Sequence, residues 1–385
     1  MNDITEISLL FITIALILLF IINLINLFSL PKINSIQKNI SNKNKDVLVS
    51  VLIPARNEED NIARCIKSVL NQSYGNIEII VLNDNSSDRT GEIFNSIEDS
   101  RLKIINGKPL EAGWVGKNFA CDQLQRLAKG KYLLFIDADT EMSKGCVSAA
   151  VFFAAENGTD LLSIMPYEES VTFWEKLVIP MLYFAVMVFL PVPMIEKSNL
   201  KQLAMGNGQF MFFKQSFYDK IGGHKSLKNK IVEDVWLARR IKEFGGKLIF
   251  ADGTDIMKCR MYKGFEEIWS GFSKNVFAGL SFSSIGLITV ILLYLVFFIS
   301  PVFFLIFGSV ISNSLIIYLS LISIIIPILI RITHSIKFRQ PFLFSFINIF
   351  SSLFIIFVSL NSYRVLKFGK GARWKGREYI EEEIN

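Results

Sequence analysis

Two residue types that build many catalytic and metal sites are scarce in this chain of 385 residues. The only histidines are His224 and His334, which argues against histidine metal clusters and leaves a Ser-His-Asp triad dependent on His224. The four cysteines form no C-x-x-C pair and are widely spaced, at Cys65, Cys121, Cys146 and Cys259. A zinc site or a disulfide framework is therefore not indicated, and a reducing compartment fits the sequence.

Glycine-rich phosphate loops are also missing. Neither G-x-G-x-x-G nor G-x-x-x-x-G-K-[ST] occurs in the sequence. A bound nucleotide would therefore need carboxylates for its base and ribose and a metal ion for its diphosphate. The central region shows no basic patch with interleaved aromatic residues, which argues against nucleic acid as a partner.

Charge is absent from residues 281–330, which contain no Asp, Glu, Lys, Arg or His. Hydrophobic residues make up 51% of the chain and include 34 Phe, a composition that points to membrane segments. We predict an N-terminal membrane anchor within residues 1–31 and a C-terminal membrane region over 281–363. The expected segments of this second region are 283–308, 311–331 and 341–363.

Basic residues lie beside these apolar segments. Thirteen of the 41 Lys and Arg residues fall in 32–45 and 331–377, where there is no acid, and the rest of the chain has 28 basic and 35 acidic residues. The positive-inside rule therefore predicts a multi-pass protein of the plasma membrane with its globular domain and its basic tail, 364–385, in the cytosol. Three crossings after that domain would leave the tail outside, so either 341–363 is re-entrant or the number of crossings differs.

The region between the membrane segments alternates strand and helix patterns. The stretches VLVSVLIPA, IEIIVLND and KYLLFIDAD are predicted strands, and helical patterns separate the first two and follow the second. Such alternation indicates an α/β domain with a mainly parallel, Rossmann-like sheet, which we place at 47–275. Residues 171–195 interrupt this domain with an apolar stretch that contains three prolines. We interpret it as an interfacial or re-entrant element, and the alternative is a buried core helix.

All three predicted strands run into polar residues. KYLLFIDADT ends in Asp137 and Asp139, the second strand leads to Asp84 and Asp88, and the first ends in residues 54–58, PARNE. The carboxyl ends of parallel strands share one edge of a sheet, where ligands bind in open α/β folds. Two hard oxygen ligands in D-x-D suit Mg²⁺ or Mn²⁺, although the same pattern also occurs in turns.

This three-part pattern resembles the family 2 glycosyltransferases with the GT-A fold over roughly residues 48–275. The resemblance implies that Asp84 binds the base, uracil in most members, that Asp137 binds ribose or metal, and that Asp139 ligates the metal. It implies a nucleotide-sugar pocket formed by Pro54, Ala55, Arg56, Asn57, Glu58, Asp84, Ser86, Lys117, Asp137 and Ala138.

Further stretches narrow the resemblance. GWVGKNFA, GNGQF, VEDVWLARRI, CRMYKGFEEIWSGFSKN and WKGREY are similar to membrane glycosyltransferases that act on carotenoid acids (diaponeurosporenoate) and hopanoid-type lipids. By this resemblance Asp234 is the catalytic base, with Glu233 as the second candidate, and Glu233, Gly208, Gln209 and Trp269 lie on the acceptor side. Acids are also favoured at a helix start by the dipole alone, and Trp269 could instead be a membrane-interface aromatic. The Q-x-x-R-W signature of processive polysaccharide synthases is not intact, which argues against polymer synthesis.

The resulting hypothesis is a hexosyltransferase that moves one sugar, glucose, from a UDP-sugar to a lipid acceptor such as a carotenoid acid. It would be inverting and would need Mg²⁺ or Mn²⁺. A sugar transferase acting on polyprenyl phosphate, glycolipid or polysaccharide is the alternative within the same fold. A transporter with a nucleotide-sensing domain is the alternative of another class, but its spans would be expected to carry ionisable residues.

Overall fold

The chain forms two compact units in a computed structural model that describes residues 2–34, 47–368 and 372–379. The α/β unit comprises Leu30–Glu169, Pro193–Met261 and Ala372–Asn385. The helical unit comprises Met1–Ser29, Ser170–Val192 and Tyr262–Gly371. Two parts of the domain predicted at 47–275 are thus grouped with the helical unit. Residues 369–371 and 380–385 of the predicted basic tail, 364–385, lie outside the described residues.

A seven-stranded sheet forms the centre of the α/β unit. Its strands, in chain order, are β1 (Val49–Ala55), β2 (Ile77–Asn83), β3 (Leu102–Asn106), β4 (Tyr132–Ile136), β6 (Leu161–Met165), β8 (Phe210–Lys214) and β9 (Leu248–Asp252). Their spatial order is β3-β2-β1-β4-β8-β6-β9, and β8 is antiparallel to both neighbours while the other pairs are parallel. The predicted mixed, mainly parallel sheet is confirmed.

Two smaller sheets complete the unit. The first has the order β5-β10-β7, with β5 (Thr140–Met142), β7 (Tyr167–Glu168) and β10 (Met257–Cys259). The second is a hairpin of β11 (Ala372–Trp374) and β12 (Arg377–Tyr379). β5 starts four residues after β4 ends, so the D-x-D sequence lies between the main sheet and the first small sheet.

Helices cover the main sheet because its strands are apolar on both faces. β4 and β6 are buried at every position, as expected for strands that need cover on both sides. The helices of this unit are α2 (Ile62–Leu70), α3 (Thr90–Asn95), α4 (Gly116–Gln125), α5 (Cys146–Asn157), α9 (Gln215–Lys220) and α10 (Glu233–Glu243). A further helix, α8 (Val192–Lys197), begins at the boundary between the two units.

The helical unit contains α1 (Asn2–Ser29), α6 (Phe173–Val178), α7 (Pro180–Phe189), α11 (Phe265–Gly279), α12 (Ser284–Leu293), α13 (Ser300–Val310), α14 (Ser314–Lys337) and α15 (Asn348–Phe368). A π-helical segment, Tyr294–Ile299, joins α12 to α13. Within the described residues four helical segments are long and apolar enough to cross a bilayer, namely Asp3–Ser29, Ser284–Val310, Ser314–Lys337 and Phe342–Phe368. By length and composition they suggest that the protein associates with a membrane.

Candidate active site

The loops after β1 and β2 are tied together at the carboxyl edge of the sheet. The backbone N–H of Asp84 donates to Ala55 O at 2.8 Å, and Arg56 Nη1 donates to Asp84 O at 2.7 Å. Asn57 takes a left-handed φ of 51° and donates its N–H to Ser86 Oγ at 3.1 Å. Residues 55–57, Asp84 and Ser86, predicted to line one pocket, are therefore brought together.

The Asp84 carboxylate is held by a residue from the C-terminal hairpin. Arg377 donates from Nη1 to Oδ2 at 2.5 Å and from Nη2 to Oδ1 at 2.9 Å. The Asp84 side chain is only 2% exposed and that of Arg377 14% exposed. The sequence pattern WKGREY contains this arginine, but nothing in the sequence indicated that it would meet Asp84.

The two aspartates after β4 lie in different surroundings. Asp137 Oδ1 forms an ion pair with Lys117 Nζ at 2.6 Å. Within the parts of the chain that the structure describes, Asp139 Oδ1 is buried without a hydrogen-bond partner. Burial, followed by the charges of Asp137 and Glu58, raises the pKa of Asp139 to about 7. A buried carboxylate oxygen of this kind is what a hard cation needs as a ligand.

Lys117 connects the two predicted halves of the site. It begins the first turn of α4, and its ammonium group contacts Asp137 on one side and Glu233 Oε1, at 2.9 Å, on the other. Burial by itself would lower the pKa of Lys117, but the charges of Asp137 and Glu233 raise it well above its usual value. Lys117 therefore stays protonated and lies as a cation between two carboxylates.

Antiparallel pairing brings the GNGQF loop to the same edge. Phe210, the first residue of β8, pairs with Ile136, the last residue of β4, so Gly208 and Gln209 lie where the D-x-D sequence begins. The N–H of Gly208 donates to Asp234 Oδ2 at 2.8 Å. A Cβ on Gly208 would come within 2.8 Å of Lys117 Nζ, so a side chain at this position would require the lysine to shift.

Asp234 lies in the first turn of α10, directly after a strained residue. Val232, the N-cap residue of α10, has φ 60°, which is unusual and costly for a β-branched side chain. Asp234 Oδ1 accepts from the N–H of Val235 at 2.8 Å. Burial and the charge of Glu233 raise the pKa of Asp234 to about 7. Burial also acts to raise the pKa of Glu233, but Lys117 outweighs it and lowers that pKa.

Two residues that the sequence reasoning did not single out reach the D-x-D region through the small sheet. Cys259 in β10 pairs with Thr140 on one side and with Glu168 in β7 on the other. Glu168 is 3% exposed, and burial raises its pKa to about 8, with Asp139 contributing. Cys259 lies 119 residues after Thr140 and 91 residues after Glu168, so the local sequence pattern could not reveal these neighbours.

Trp269 and His224 are both packed against aromatic side chains. Trp269 is on α11 in the helical unit, where its ring packs against Phe354 with centroids 5.7 Å apart. His224 is buried and packs against Phe135. Its Nδ1 atom shares a hydrogen bond of 2.6 Å with Tyr218 Oη. Burial lowers the pKa of His224 to about 4, which agrees with a structural residue.

The mixed sheet and the acidic residues at its carboxyl edge define a glycosyltransferase of the GT-A fold. Residues 50–222 match the family model described as Glycosyl transferase family 2. Residues 50–222 therefore form a glycosyltransferase family 2 domain, and the predicted enzyme class, a glycosyltransferase, is confirmed. A sugar donor and an acceptor are therefore its substrates.

Curated relatives extend the similarity beyond this domain. The chain is 28% identical, over 86% of its length and 88% of the relative's, to a 4,4'-diaponeurosporenoate glycosyltransferase of Staphylococcus haemolyticus (strain JCSC1435). It is 26% identical to the protein of that name from Staphylococcus aureus (strain USA300), over 64% of this chain and 65% of the relative.

A solved structure supports the fold. The mannosyltransferase PcManGT from Pyrobaculum calidifontis, in complex with GDP-Man and Mn²⁺, superposes with a TM-score of 0.54 at 13% sequence identity. The match covers 94% of this chain and 99% of that one. At this identity the likeness shows the shared fold.

Proposed function

We propose that the protein transfers one sugar, glucose, from a UDP-sugar to an isoprenoid lipid such as a carotenoid acid, with inversion at the anomeric carbon. The observation that carries this proposal is the Lys117 ammonium group, which joins Asp137 on the donor side to Glu233 beside Asp234. One cation thereby connects a residue proposed to bind the donor to a residue beside the proposed base. The names of the two staphylococcal relatives support a carotenoid acid as acceptor.

The donor would lie along the carboxyl edge of the sheet. In this proposal Asp84 binds the base, residues 54–58 and Ser86 line the nucleoside pocket, and Asp137 and Ala138 lie next to the ribose and diphosphate. Asp84 and Arg56 are already fixed by hydrogen bonds between the loops, so this part of the pocket needs little reorganisation.

A divalent cation fits the acidic residues after β4. Within the described residues no three His, Cys, Asp or Glu side chains could hold a metal by themselves, so Asp139 and Asp137 would share it with the donor diphosphate. The buried Asp139 Oδ1 supports this assignment. When bound, Mg²⁺ or Mn²⁺ would offset the charge of the leaving diphosphate.

Asp234 would act on the acceptor. During an inverting transfer the acceptor oxygen forms a bond to the anomeric carbon while the bond from that carbon to the diphosphate oxygen breaks. For a hydroxyl acceptor the Asp234 carboxylate takes the proton as the new bond forms. A carboxylic-acid acceptor is already ionised near neutral pH, so Asp234 would then orient it.

The contacts inside the helical unit support three crossings. α1 and α14 run parallel, because Glu6 accepts from Asn313, Thr13 contacts Ser323, and Asn23 contacts His334, the contacts advancing along both helices. α13 and α14 form a tight hairpin, in which Asn313 N donates to Gly308 O. The start of α12 and the end of α14 would therefore face the same side as the end of α1.

Segment Phe342–Phe368 would enter and leave on that same side. Near its start, Ser345 contacts Ser335 close to the end of α14. Near its end, Ser362 accepts from Phe277 N, and Phe277 packs against Phe282 just before α12. We therefore propose that this segment is re-entrant, which places the tail in the cytosol, as its charge requires.

A panel of labelled donors tests the proposed reaction. Membranes containing the protein would receive UDP-glucose, UDP-galactose or GDP-mannose together with a carotenoid acid, and mass spectrometry would identify the lipid product. We expect a single added hexose from UDP-glucose. A polymeric product, or transfer only from GDP-mannose, would contradict the proposal.

A further inference from the structure

The segment that precedes α10 is held in place by the start of α4. Asn118 is fully buried, and its Nδ2 atom donates to Leu227 O at 2.6 Å and to Lys230 O at 2.9 Å. The N–H of Val115, the N-cap residue of α4, donates to Lys228 O at 2.6 Å. Three carbonyl groups of residues 227–230 are therefore bonded to the same end of one helix.

The Asn118 side chain acts through its amide N–H groups. Only a donor can face two carbonyl oxygens, which fixes the orientation of the amide. Among the described residues, the buried Oδ1 atom on its other side has no hydrogen-bond partner. A buried polar atom without a partner costs free energy, so the contribution of this side chain comes from its two bonds to residues 227–230.

A strained residue follows this segment. Val232 has φ 60°, and a left-handed conformation at a β-branched residue persists only where the surrounding structure imposes it. On the downstream side, Glu233 is bound by Lys117, and the Asp234 carboxylate accepts from a backbone N–H. On the upstream side, the bonds from the start of α4 hold residues 227–230. The chain is therefore fixed on both sides of Val232.

We propose that Asn118 is a positioning residue for the acceptor side of the site. By fixing residues 227–230 it holds Val232 in its left-handed conformation, and so it sets where Asp234 lies at the start of α10. Without the amide, Val232 would relax to a negative φ, which would redirect the chain entering α10 and displace the Asp234 carboxylate. The inference rests on the proposed function, because that function gives Asp234 its role toward the acceptor.

Hydrogen exchange tests whether Asn118 holds this segment. In the full-length chain, purified in detergent, mass spectrometry would follow backbone exchange in peptides covering residues 227–236. We expect Asn118→Ala to accelerate exchange there at least about tenfold. The matched control is Asn157→Ala, because Asn157 also donates its amide to a backbone carbonyl, Phe153 O at 2.8 Å, within α5. Exchange over 227–236 that is the same in both variants would overturn the inference.

Kinetics test the consequence for the reaction. Transfer from UDP-glucose to a carotenoid acid would be measured beside UDP affinity, the latter by calorimetry with Mn²⁺ present. We expect Asn118→Ala to lower kcat at least about tenfold and to leave UDP affinity within about twofold, because the proposed displacement affects the acceptor side. Asn118→Ser keeps one hydroxyl donor, so its kcat should lie between those of Asn118→Ala and the unaltered protein. An equal loss of UDP affinity would indicate a general structural role and contradict the proposal.

A second substitution tests the link to backbone strain. Glycine adopts a positive φ as readily as a negative one, so in Val232→Gly the surroundings no longer need to impose the conformation. The double variant Asn118→Ala/Val232→Gly should therefore recover kcat to within about threefold of Val232→Gly alone, and no recovery would overturn the inference. If Asn118→Ala does not fold, Asn118→Ser and its double variant give the same comparison. Failure of the unaltered protein to transfer sugar would remove the proposed function, whereas hydrogen exchange would still decide whether Asn118 holds the segment.

Discussion

At the scale of single residues, the position of Asp234 makes a prediction about pH. Its pKa is raised to about 7, mainly by burial and then by Glu233, so the carboxylate that accepts a proton becomes populated only as pH rises through that value. For a hydroxyl acceptor we expect kcat to increase with pH and to level off above about 7. For a carboxylic-acid acceptor this increase should be absent, because no proton is removed.

The variant Asp234→Asn tests the same residue directly. It preserves the shape of the side chain but removes the base, so transfer to a hydroxyl acceptor should fall by roughly a hundredfold while donor affinity persists. Transfer rate and UDP-sugar affinity would be measured in parallel. Near-normal transfer to a hydroxyl acceptor, or an unaltered pH profile, would remove Asp234 from the role.

Asp139 should make the activity depend on a divalent metal. Replacing it with Ala removes a proposed ligand, and we expect the rate to fall on the order of a thousandfold. Excess chelator should abolish transfer in the unaltered protein, and added Mn²⁺ or Mg²⁺ should restore it. Full activity in chelator would contradict the assignment.

Gly208 tests the close packing around Lys117. A methyl group there would lie 2.8 Å from Lys117 Nζ and 3.5 Å from Asp234 Oδ2, so Gly208→Ala should displace the lysine and reduce kcat by about tenfold or more. Gly75→Ala is the matched control, since a Cβ at Gly75 meets no atom within 4 Å. Equal activities in the two variants would show that the site tolerates the shift.

The sequence predicted the acidic residues of the site better than their partners. Asp84, Asp137 and Asp139 follow strands whose apolar runs are recognisable locally, so their positions could be inferred. Arg377 lies 293 residues after Asp84, and no periodic pattern connects the two. Contacts of this kind depend on the folded chain as a whole.

At the scale of secondary structure, one side chain holds the starts of two helices. Glu175 is fully buried; its Oε2 accepts from Val171 N at 2.7 Å and its Oε1 from Gly264 N at 2.9 Å, just before α6 and α11 respectively. Removing the carboxylate leaves the partly buried N–H groups of Val171 and Gly264 without this acceptor. Glu175→Ala should therefore lower the free energy of unfolding by about 2–4 kcal/mol.

Thermal unfolding in detergent would measure this effect. The control is Glu266→Ala, which removes an exposed acid from the first turn of α11 and should shift the unfolding midpoint little. Glu175→Gln keeps one acceptor oxygen, so its unfolding midpoint should lie between those of Glu175→Ala and Glu266→Ala. A midpoint for Glu175→Ala equal to that of Glu266→Ala would show that the shared cap contributes nothing.

The strands that the sequence indicated clearly are those with long apolar runs. β1, β2 and β4 were predicted close to their observed bounds because a buried parallel strand is apolar throughout. The direction of β8 was not predictable, since an antiparallel strand buried on both faces has the same pattern. That direction decides where Gly208 and Gln209 lie, so the acceptor side depended on resemblance.

At the scale of the whole molecule, the proposed topology can be tested by cysteine labelling. The four native cysteines are buried thiols, so single cysteines can be introduced at exposed positions. In intact cells an impermeant reagent should label Ser312→Cys, between α13 and α14, but neither Glu98→Cys in the α/β unit nor Lys367→Cys near the end of α15. Permeabilised cells, in which all three should react, provide the control.

Labelling of Lys367→Cys from outside would show that Phe342–Phe368 crosses the membrane. Labelling of Glu98→Cys would place the catalytic domain outside. Composition alone predicted four apolar segments correctly but could not decide which of them cross, because a re-entrant helix and a spanning helix have the same hydropathy. The side-chain contacts at the two ends of the last segment support our proposal that it is re-entrant.

The ion pair between Asp84 and Arg377 also has a consequence for biogenesis. The ribosome makes Asp84 early, whereas Arg377 follows every helix of the helical unit along the chain. During translation Asp84 therefore lacks its ion-pair partner Arg377 until all the apolar segments have been synthesised and delivered to the insertion machinery. If Asp84 lies in the donor pocket as we propose, that pocket would be complete only after insertion, and a nascent chain stalled before that point would be unable to consume its donor.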